Sequence, residues 1–535
     1  MRWRGAQTTI LGALTLLLLG AGIWHAAGVD KRAEDPVRAG STPAAAPRRT
    51  PGRRRKPLGT APRSTPAAAR GGLYAAVAAS PSGPPLPAGF LGFSFEYSAF
   101  GAYTGSDPAA LNPVFVQLLR NLGQPLVLRI GGNSTDATWW PVRGSTPPAG
   151  VSYALTTTWL ASASALAAAV DAKLILGVNL AADRPSLAAA EAQALVRGVG
   201  AGNIAAFEIG NEPDVYGLFP WYSGRHGLVF ARAPGYGLTA YLRDAARWAG
   251  AIPATALAGP ATAELSWLSG IPSLAGAEPR LQVITVHRYP IQGCLANRAS
   301  PAYPSLGNLL ADRSSAGLAA GLAPYVAAAH ERGLAFRVDE LNSAALAGCL
   351  SRAGVSNTFA SSVWMLDTLF QMARVGVDGV NVHTLPGAGY ELFTFTRATG
   401  GWRAFVHPDY YGMLMFARAF PTGARLVPVH APSGPVKVWA THGADGRTRV
   451  TLINQDAAPH RVELQLPLGA APARVDWLRA PGAAATGGVT LGGQSFGSET
   501  STGVLAGAPA VQTVTPLAGS YSIDLPPYTA ALLTR

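Results

Sequence analysis

Charged residues and cysteines are both scarce in this chain of 535 residues. Only 13% of the residues are charged, about half of the usual share, and two are cysteines. Two cysteines exclude a disulfide-dense miniprotein and cannot by themselves form a zinc site. The sequence also lacks a phosphate-binding glycine loop of the Walker type, a His and Cys cluster, and the apolar spans of a multi-span membrane protein. Apolar residues make up 48%, so a sizeable core can form and a mainly disordered chain is excluded.

The formal net charge of +13 is unevenly distributed. Residues 1–70 contain 13 basic residues (Lys and Arg) but only 3 acidic residues (Asp and Glu). Residues 71–535 contain 29 basic and 26 acidic residues. The remainder of the chain is therefore close to neutral. Basic patches can bind nucleic acid, but no recognised reader module accompanies the basic segment. We predict no nucleic-acid partner.

The first 28 residues have the layout of an export signal. Arg2 and Arg4 precede an apolar run from Ile10 to Trp24. The segment from residue 8 to residue 28 is long for a signal peptide, so an uncleaved membrane anchor is an alternative. Residues 29–71 are rich in Pro, Ala and Arg, which predicts a disordered linker. We expect an extracytoplasmic protein, secreted or periplasmic, with a membrane tether as an open alternative.

From residue 90 onward, strand-like apolar runs alternate with helical segments rich in Ala and Leu. Eight such runs occur, at Phe90–Tyr97, Pro125–Asn133, Lys173–Leu180, Ile204–Pro213, Thr255–Ala261, Leu281–Pro290, Ala335–Asn342 and Val377–Pro386. Parallel strands need crossover connections, so alternating strands and helices predict a parallel sheet. The spacing favours an α/β fold, a (β/α)8 TIM barrel over residues 89–419, with a doubly wound open sheet as the competitor.

After residue 419 the pattern changes to short runs that alternate apolar and polar residues, separated by turns. This pattern predicts an antiparallel β-sandwich over residues 420–535. Residues 72–88 contain a further strand-like run, which we expect to join the sandwich.

Two motifs carry the candidate chemistry. Glu212 lies between Asn211 and Pro213 at the end of the fourth run, and Glu340 lies at the end of the seventh. The carboxyl ends of barrel strands form the face where chemistry occurs. Glycoside hydrolysis needs such a pair, because one carboxyl group protonates the leaving oxygen and the other attacks or stabilises the cation-like anomeric carbon. We expect Glu208, deeper in its strand, to be structural. Asp339 should point away from Glu340 and pair with Arg337 or a helix.

With these residues in view, the chain resembles glycoside hydrolase family 79, the β-glucuronidase and heparanase-like group of a retaining (β/α)8 clan. The resemblance covers about residues 73–535. Its motifs are Asn211–Pro213, Leu128–Asp136, Val286–Pro290, Gly354–Ala360 and the C-terminal Leu525–Leu533.

The resemblance implies roles for individual residues. Glu212 would be the acid/base and Glu340 the nucleophile. Asn211 would bind the sugar 2-hydroxyl, and Tyr289 would contact the nucleophile. Further substrate-binding residues would be Glu96, Asp136, Gly389 and Tyr390.

In that group, backbone N–H groups and a tyrosine after strand eight bind the uronate carboxylate. Here that loop contains Gly389 and Tyr390. Cys294 and Cys349 would lie in loops near the rim of the site, as a candidate disulfide, with two free thiols as the alternative. No metal and no cofactor are expected.

The sequence therefore predicts a retaining exo-β-glucuronidase that acts on a glycoside or glycan containing glucuronic acid. Two enzyme alternatives stay open: an endo-β-glucuronidase, and a retaining β-glycosidase of the same clan that acts on a neutral sugar. The alternative of another class is a surface carbohydrate-binding protein without turnover.

Overall fold

The computed structural model describes residues 72–123, 125–345, 354–467 and 471–535. The predicted signal or anchor and the predicted linker up to residue 71 lie outside the described residues. Within the described residues, no helix is both long enough and apolar enough to cross a membrane.

Eight parallel strands close into a barrel. Barrel strands one to eight are Leu91–Glu96, Leu126–Gly131, Ala172–Val178, Ile204–Ile209, Leu257–Thr262, Leu281–Arg288, Ala335–Leu341 and Gly379–Thr384. Each strand pairs with its sequence neighbours, and strand eight closes the barrel onto strand one through Val380 and Leu91. The prediction of a parallel barrel is confirmed, and the open doubly wound sheet is excluded.

Helices surround the barrel because the crossover between parallel strands must cover the outer face of the sheet. The longer ones are Pro113–Arg120, Thr157–Ala169, Pro185–Leu195, Leu238–Ala251, Ile271–Ala277, Ala323–His330, Phe359–Arg374 and Pro408–Ala419. Helix Pro113–Arg120 begins where the Asn112 side chain accepts hydrogen bonds from the N–H groups of Val114 and Phe115. Helix Phe359–Arg374 is buried over most of its length, because it lies between the barrel and the second domain.

The second domain consists of two β-sheets packed face to face. One contains four strands in the order Val429–His430, Leu73–Val77, His460–Gln465 and Ser520–Leu525. The other contains seven: Arg425–Val427, Val436–His442, Thr448–Asn454, Ala530–Thr534, Ala473–Arg479 and Thr490–Leu491 in spatial order, with Gln512–Val514 beside Ala473–Arg479. Buried apolar residues from both sheets, among them Leu464 and Leu533, form one core.

The early strand Leu73–Val77 joins the four-stranded sheet. It runs parallel to His460–Gln465 and antiparallel to Val429–His430. The chain therefore begins its described part in the sandwich, crosses to the barrel, and returns to the sandwich after helix Pro408–Ala419.

Candidate active site

The two predicted catalytic carboxylates meet at the mouth of the barrel. One oxygen of Glu212, one oxygen of Glu340 and a ring nitrogen of His287 all lie within 4.8 Å of one another. Retaining glycosidases have carboxyl groups about 5–5.5 Å apart, whereas inverting enzymes need about 6.5–9.5 Å to admit a water. The spacing between the Glu212 and Glu340 oxygens is closer to the first of these two ranges than to the second.

The backbone after strand four is strained where it presents Glu212. Gly210 has φ 79°, and Glu212 has φ 48°, a left-handed conformation that non-glycine residues seldom adopt. The Glu212 N–H donates to the carbonyl of Ala261 over 3.0 Å, which ties the turn to strand five. Strain of this kind persists only where the surroundings enforce it, and it is concentrated at functional sites.

Glu340 lies among hydrogen-bond donors and cations. The Tyr289 hydroxyl donates to Oε1 over 2.6 Å, and Arg129 Nη1 donates to Oε2 over 2.7 Å. The ring nitrogens Nδ1 of His287 and His383 each lie 3.8 Å from Oε2. Burial raises the pKa of Glu340, but His383, His287, Arg129 and the Tyr289 hydrogen bond outweigh it and lower that pKa below its ordinary value. Glu340 is therefore held as an ionised carboxylate.

Glu212 is the more accessible of the pair, with 26% of its side chain exposed against 12% for Glu340. Its Oε1 lies 2.8 Å from Nδ1 of the buried His287. Burial lowers the pKa of His287, but Glu340, Asp339 and the hydrogen bond to Glu212 outweigh burial and raise that pKa to about 9. The His287 ring is therefore protonated at neutral pH, with its Nδ1 facing Glu212.

Arg129 links the parts of the site beneath the mouth. Its fully buried guanidinium donates to Glu208 over 2.8 Å and to the Asn211 side-chain oxygen over 2.8 Å, in addition to Glu340. Burial lowers the pKa of Arg129, but Glu208, Asp339 and Glu340 outweigh burial and raise it well above its ordinary value. The structural role predicted for Glu208 is thus an ion pair that orients this arginine.

Asp339 occupies a position that simple strand alternation does not predict. Val286 pairs with Val338 but the next residue, His287, pairs with Glu340, so Asp339 is the extra residue of a bulge. Its carboxylate lies 3.4 Å from Arg129 Nε and 3.7 Å from His287 Nε2. Arg337 instead donates to Asn381 and to the carbonyl of Gly89. The prediction that Asp339 pairs with Arg337 or a helix is wrong, because the bulge turns consecutive carboxylates toward Arg129.

Asp136 lies beneath the site, where its carboxylate accepts hydrogen bonds from several segments of the chain. Its Oδ1 accepts the N–H groups of Leu180 and Ala181 at 3.0 Å, and its Oδ2 accepts the Tyr216 hydroxyl and the Asn211 N–H. Only 4% of the residue is exposed. With both oxygens occupied by protein donors, the arrangement favours an orienting role toward Asn211 over the predicted contact with sugar.

Glu96 and Asn211 lie at the carboxyl ends of strands one and four. Glu96 accepts the N–H groups of Asn133 and Ser134 at 3.0 and 2.7 Å and also the Ser134 hydroxyl. Burial raises the pKa of Glu96 above its ordinary value, although His383 and Ser134 oppose the shift. Asn211 donates one side-chain N–H to Asn133 over 3.2 Å, which leaves its second N–H for a ligand.

The loop after strand eight brings Tyr390 against the site. The Tyr390 ring centroid lies 6.1 Å from that of Tyr289 and 5.8 Å from that of His383. No described residue accepts a hydrogen bond from the backbone N–H of Gly389 or Tyr390. Both groups can therefore donate to an anion in this loop.

The predicted disulfide cannot be placed, because Cys349 lies outside the described residues. Cys294 is half-buried in the loop after strand six. Cys294 is disulfide-bonded, and its pairing with Cys349 stays a prediction.

Sequence reasoning assigned no role to three residues that contact the glutamates: Arg129, His287 and His383. All three lie within barrel strands, and two belong to motifs that carry the family resemblance. The signal that could have found them is the placement of a cation inside a strand that is otherwise apolar, where a charge needs a partner.

Comparison with known proteins gave matches among solved structures alone: no protein-family profile matches the chain, and no curated protein matches it. A 4-O-α-L-rhamnosyl-β-D-glucuronidase from Fusarium oxysporum 12S is 21% identical, with a TM-score of 0.65 over 86% of this chain and 100% of that one. A family 51 arabinofuranosidase from Xanthomonas axonopodis pv. citri is 16% identical, with a TM-score of 0.61 over 86% and 99%. A bifunctional glucanase-xylanase from a metagenome library is 16% identical, with a TM-score of 0.55 over the same shares. At these identities the likeness concerns the fold, and membership of family 79 stays a prediction.

Proposed function

We propose that this protein is a glycoside hydrolase, and specifically a retaining exo-β-glucuronidase of the family 79 type. The observation that carries the proposal is the pair of carboxyl groups within 4.8 Å at the ends of strands four and seven, one of them held ionised. The fold shared with solved glycosidases, one of which is described as a glucuronidase, supports it.

In the first step, an oxygen of Glu340 attacks the anomeric carbon while the glycosidic C–O bond breaks. Glu212 transfers a proton to the leaving oxygen, so the aglycone departs as a neutral alcohol. Tyr289 and Arg129 donate hydrogen bonds to Glu340 and keep its carboxylate ionised and oriented for attack. The product of this step is a covalent glycosyl-enzyme.

In the second step, Glu212 accepts a proton from a water as the water oxygen attacks the anomeric carbon, and Glu340 leaves as a carboxylate. Two displacements at one carbon retain its configuration. His287, 2.8 Å from Glu212, is positioned to share the proton that Glu212 gives up and regains. Asn211, oriented by Arg129 and Asp136, would bind the sugar 2-hydroxyl, a contact that tightens in the transition state.

The preference for a uronic acid rests on the loop after strand eight. The unpartnered N–H groups of Gly389 and Tyr390 and the Tyr390 hydroxyl would bind the substrate carboxylate. Neutral dipoles suit this task, because they bind the anion without neutralising the catalytic carboxylates nearby.

The test is hydrolysis of a chromogenic β-glucuronide by the native chain and by Glu340→Gln, Glu212→Gln and, as a control, the exposed Glu331→Gln. We expect Glu340→Gln to abolish turnover. Glu212→Gln should slow a substrate with an unactivated alcohol leaving group far more than an aryl one, because an aryl oxide needs less protonation. Unchanged rates in both site variants would overturn the proposal.

Specificity is tested separately, with β-glucuronide, β-glucoside, β-galactoside and β-xyloside substrates and with glucuronate-containing polysaccharide. We expect a retaining exo enzyme to release glucuronic acid first as its β-anomer, which NMR detects. Oligosaccharide products would indicate endo action, and a faster neutral substrate would indicate a different glycosidase. Tight glucuronide binding without turnover would indicate a carbohydrate-binding protein.

We also propose that residues 1–28 direct export, which would place the protein outside the cytoplasm as a secreted, periplasmic or membrane-tethered enzyme. The support is the sequence pattern of Arg residues before an apolar run. Fractionation of cells that produce the full chain, with N-terminal sequencing of the product, distinguishes a cleaved signal from an anchor. Retention of the intact chain in the cytoplasm would contradict export.

A further inference from the structure

Three carboxyl groups surround a single guanidinium beneath the mouth of the barrel. Glu208, Asp339 and Glu340 each have an oxygen at most 3.4 Å from a nitrogen of Arg129. The side chains of Arg129, Glu208 and Asp339 have no exposed surface. A buried carboxylate needs a cation or hydrogen-bond donors to offset its lost hydration. One guanidinium cannot balance three negative charges, so the protonation of these groups has to be worked out individually.

Two of the three groups have donors on both oxygens. Glu208 accepts Arg129 Nε on Oε2 and the Thr285 hydroxyl on Oε1, both over 2.8 Å. Glu340 accepts the Tyr289 hydroxyl on Oε1 and Arg129 Nη1 on Oε2. Burial raises the pKa of Glu208, but Arg129 and further hydrogen bonds outweigh burial and lower that pKa below its ordinary value. Both groups are therefore held as carboxylates.

Asp339 has no such donors. No N–H or O–H group of a described residue donates to either of its oxygens. Arg129 Nε lies 3.4 Å from Oδ2, but this nitrogen donates to Glu208. Oδ1 lies 3.7 Å from His287 Nε2, which is too long for a hydrogen bond. The hydrogen-bond contact that Asp339 does make is with Glu208, one carboxyl group against another.

A contact between two carboxyl groups is stable only when one of them carries a proton, because two carboxylates repel each other. Burial and the charge of Glu208 raise the pKa of Asp339 well above its ordinary value, although Arg129 and His287 oppose the shift. The charged or titratable groups that face Asp339 come from strands two, four, six and seven: Arg129, Glu208, His287, Arg337 and Glu340. Since Glu208 has two other donors, Asp339 is the group that keeps the proton.

We propose that Asp339 is a neutral carboxylic acid at neutral pH and donates its proton in a hydrogen bond to Glu208. It is a positioning residue, because Glu208 orients Arg129, and Arg129 in turn donates to the nucleophile. The bulge in strand seven brings this third carboxyl group into the cluster. The role in catalysis rests on the proposed function, whereas the location of the proton can be measured without a substrate.

A neutral Asp339 balances the charges of the buried cluster at neutral pH. The cations are then Arg129 and the protonated His287. The anions are Glu208 and Glu340. When Asp339 ionises at higher pH, its charge lies 3.7 Å from His287 Nε2 and favours the imidazolium, in agreement with the raised pKa of that ring. The proton on Asp339 therefore keeps a further negative charge away from the nucleophile.

Infrared spectroscopy tests the location of the proton, because the C=O stretch of a protonated carboxyl group is separate from the bands of a carboxylate. At pH 7 we expect a protonated-acid band that shifts when aspartate is labelled with 13C and that loses intensity in Asp339→Asn. Glu208→Gln should also reduce this band, because Asp339 then ionises beside Arg129. Unchanged intensity in Asp339→Asn, or in Glu208→Gln should the first variant not fold, would overturn the inference but not the proposed function.

Kinetics on a β-glucuronide test the positioning role. Asparagine can replace a neutral acid, because its N–H donates where the O–H did, whereas leucine cannot. We expect Asp339→Asn to keep kcat/KM within about threefold of the native value and Asp339→Leu to lose about tenfold or more, since a buried acceptor then lacks a donor. The control is Asp409→Asn on helix Pro408–Ala419, because burial raises the pKa of this acid too, to about 8, and its loss should leave kcat/KM unchanged.

The two variants at position 339 separate an acid from a carboxylate. An equal loss in Asp339→Asn and Asp339→Leu would overturn the inference, because it would show that the negative charge of Asp339 is required. Hydrolysis of no glucuronide by the native chain would overturn the proposed function, and the infrared band would still decide whether Asp339 carries the proton.

Discussion

Individual charges in the site are stabilised by their neighbours and not by water. Arg129 has no exposed side-chain surface, yet it is surrounded by Glu208, Asp339 and Glu340. A buried charge without a partner costs several kcal/mol, so each of these groups requires the others. Substitutions at single residues should therefore change both stability and the protonation of the remaining groups.

The His287–Glu212 pair predicts the alkaline limit of activity. Because the pKa of His287 is raised to about 9, this ring beside Glu212 keeps its proton at neutral pH and loses it as the pH rises through about 9. We expect kcat/KM of the native chain to fall above about pH 9. In His287→Gln the fall should begin at lower pH, since no imidazolium then supplies a proton beside Glu212.

The measurement is the pH profile of kcat/KM on a β-glucuronide, with His442→Gln in the second domain as the control. The raised pKa also means that protonated His287 stabilises the fold fully below about pH 6.5, its ordinary value, and that this stabilisation is lost as the pH rises through about 9. Identical alkaline limbs in the native and His287→Gln enzymes would contradict a role of the His287 proton in activity.

Arg129→Leu should destabilise the protein strongly, by about 3–5 kcal/mol, because it leaves Glu208 and Glu340 buried without their cation. The control is Arg461→Leu, whose ion pair with Asp524 is 57% and 73% exposed and should contribute little to stability. Denaturant unfolding of both variants measures the difference. Similar midpoints for the two would show that the buried ion pairs do not support the barrel.

At the scale of elements, two local departures from regular strands shape the site. The bulge in strand seven directs both Asp339 and Glu340 toward Arg129. The turn after strand four, with positive φ at Gly210 and Glu212, directs the second carboxylate toward the first. The bulge at Asp339 lies inside strand seven, where pairing with strand six resumes at Glu340, whereas the turn at Gly210 and Glu212 follows strand four.

Gly210→Ala tests the turn. A Cβ at this position would lie 2.6 Å from the Tyr216 hydroxyl, and φ is 79°, so both space and backbone disfavour alanine. We expect a loss of at least about 1 kcal/mol in unfolding free energy and a lower kcat, because Glu212 is displaced. Gly250→Ala, in helix Leu238–Ala251 with open space around it, should raise stability instead. Native kcat in Gly210→Ala would contradict this account of the turn.

At the scale of the whole molecule, the barrel and the sandwich are packed together through helix Phe359–Arg374. The Trp439 ring, from the sandwich, stacks on Phe370 with centroids 5.3 Å apart and planes 4° apart. Its Nε1 donates over 3.0 Å to the buried Asp367, which also accepts the Ser315 hydroxyl. The contact joins one domain to the other by both an apolar surface and a hydrogen bond.

Trp439 is half-buried, so Trp439→Ala should reduce the free energy of unfolding by at most about 3–5 kcal/mol, the range for a fully buried large side chain. Trp439→Phe keeps a ring on Phe370 but leaves Asp367 with one donor fewer, which should cost about 1–3 kcal/mol. Thermal unfolding of both variants measures the two contributions. A loss in Trp439→Phe as large as in Trp439→Ala would show that the hydrogen bond dominates the contact.

The alternation of apolar runs and helical segments was enough to predict the barrel, because such periodicity is a local property of the chain. It also led to Glu212 and Glu340, since polar residues that end apolar strands are collected on one face of a barrel. The role of Asp339 was predicted wrongly, because perfect alternation was assumed where the strand contains a bulge. The sequence also did not predict that protein donors occupy both Asp136 oxygens, because those donors come from distant segments.

By itself, the sequence determined the order of strands and helices, the change to antiparallel sheets after the barrel, and which carboxylates end strands four and seven. Only the tertiary structure decided that these carboxylates lie within 4.8 Å, that Arg129 joins Glu340 to Glu208 and Asn211, and that His287 lies between the two carboxylates. The physical reason is the range of the interactions. Local patterning reports which face of an element is buried, whereas distances between side chains from different strands depend on register, bulges and packing across the whole barrel.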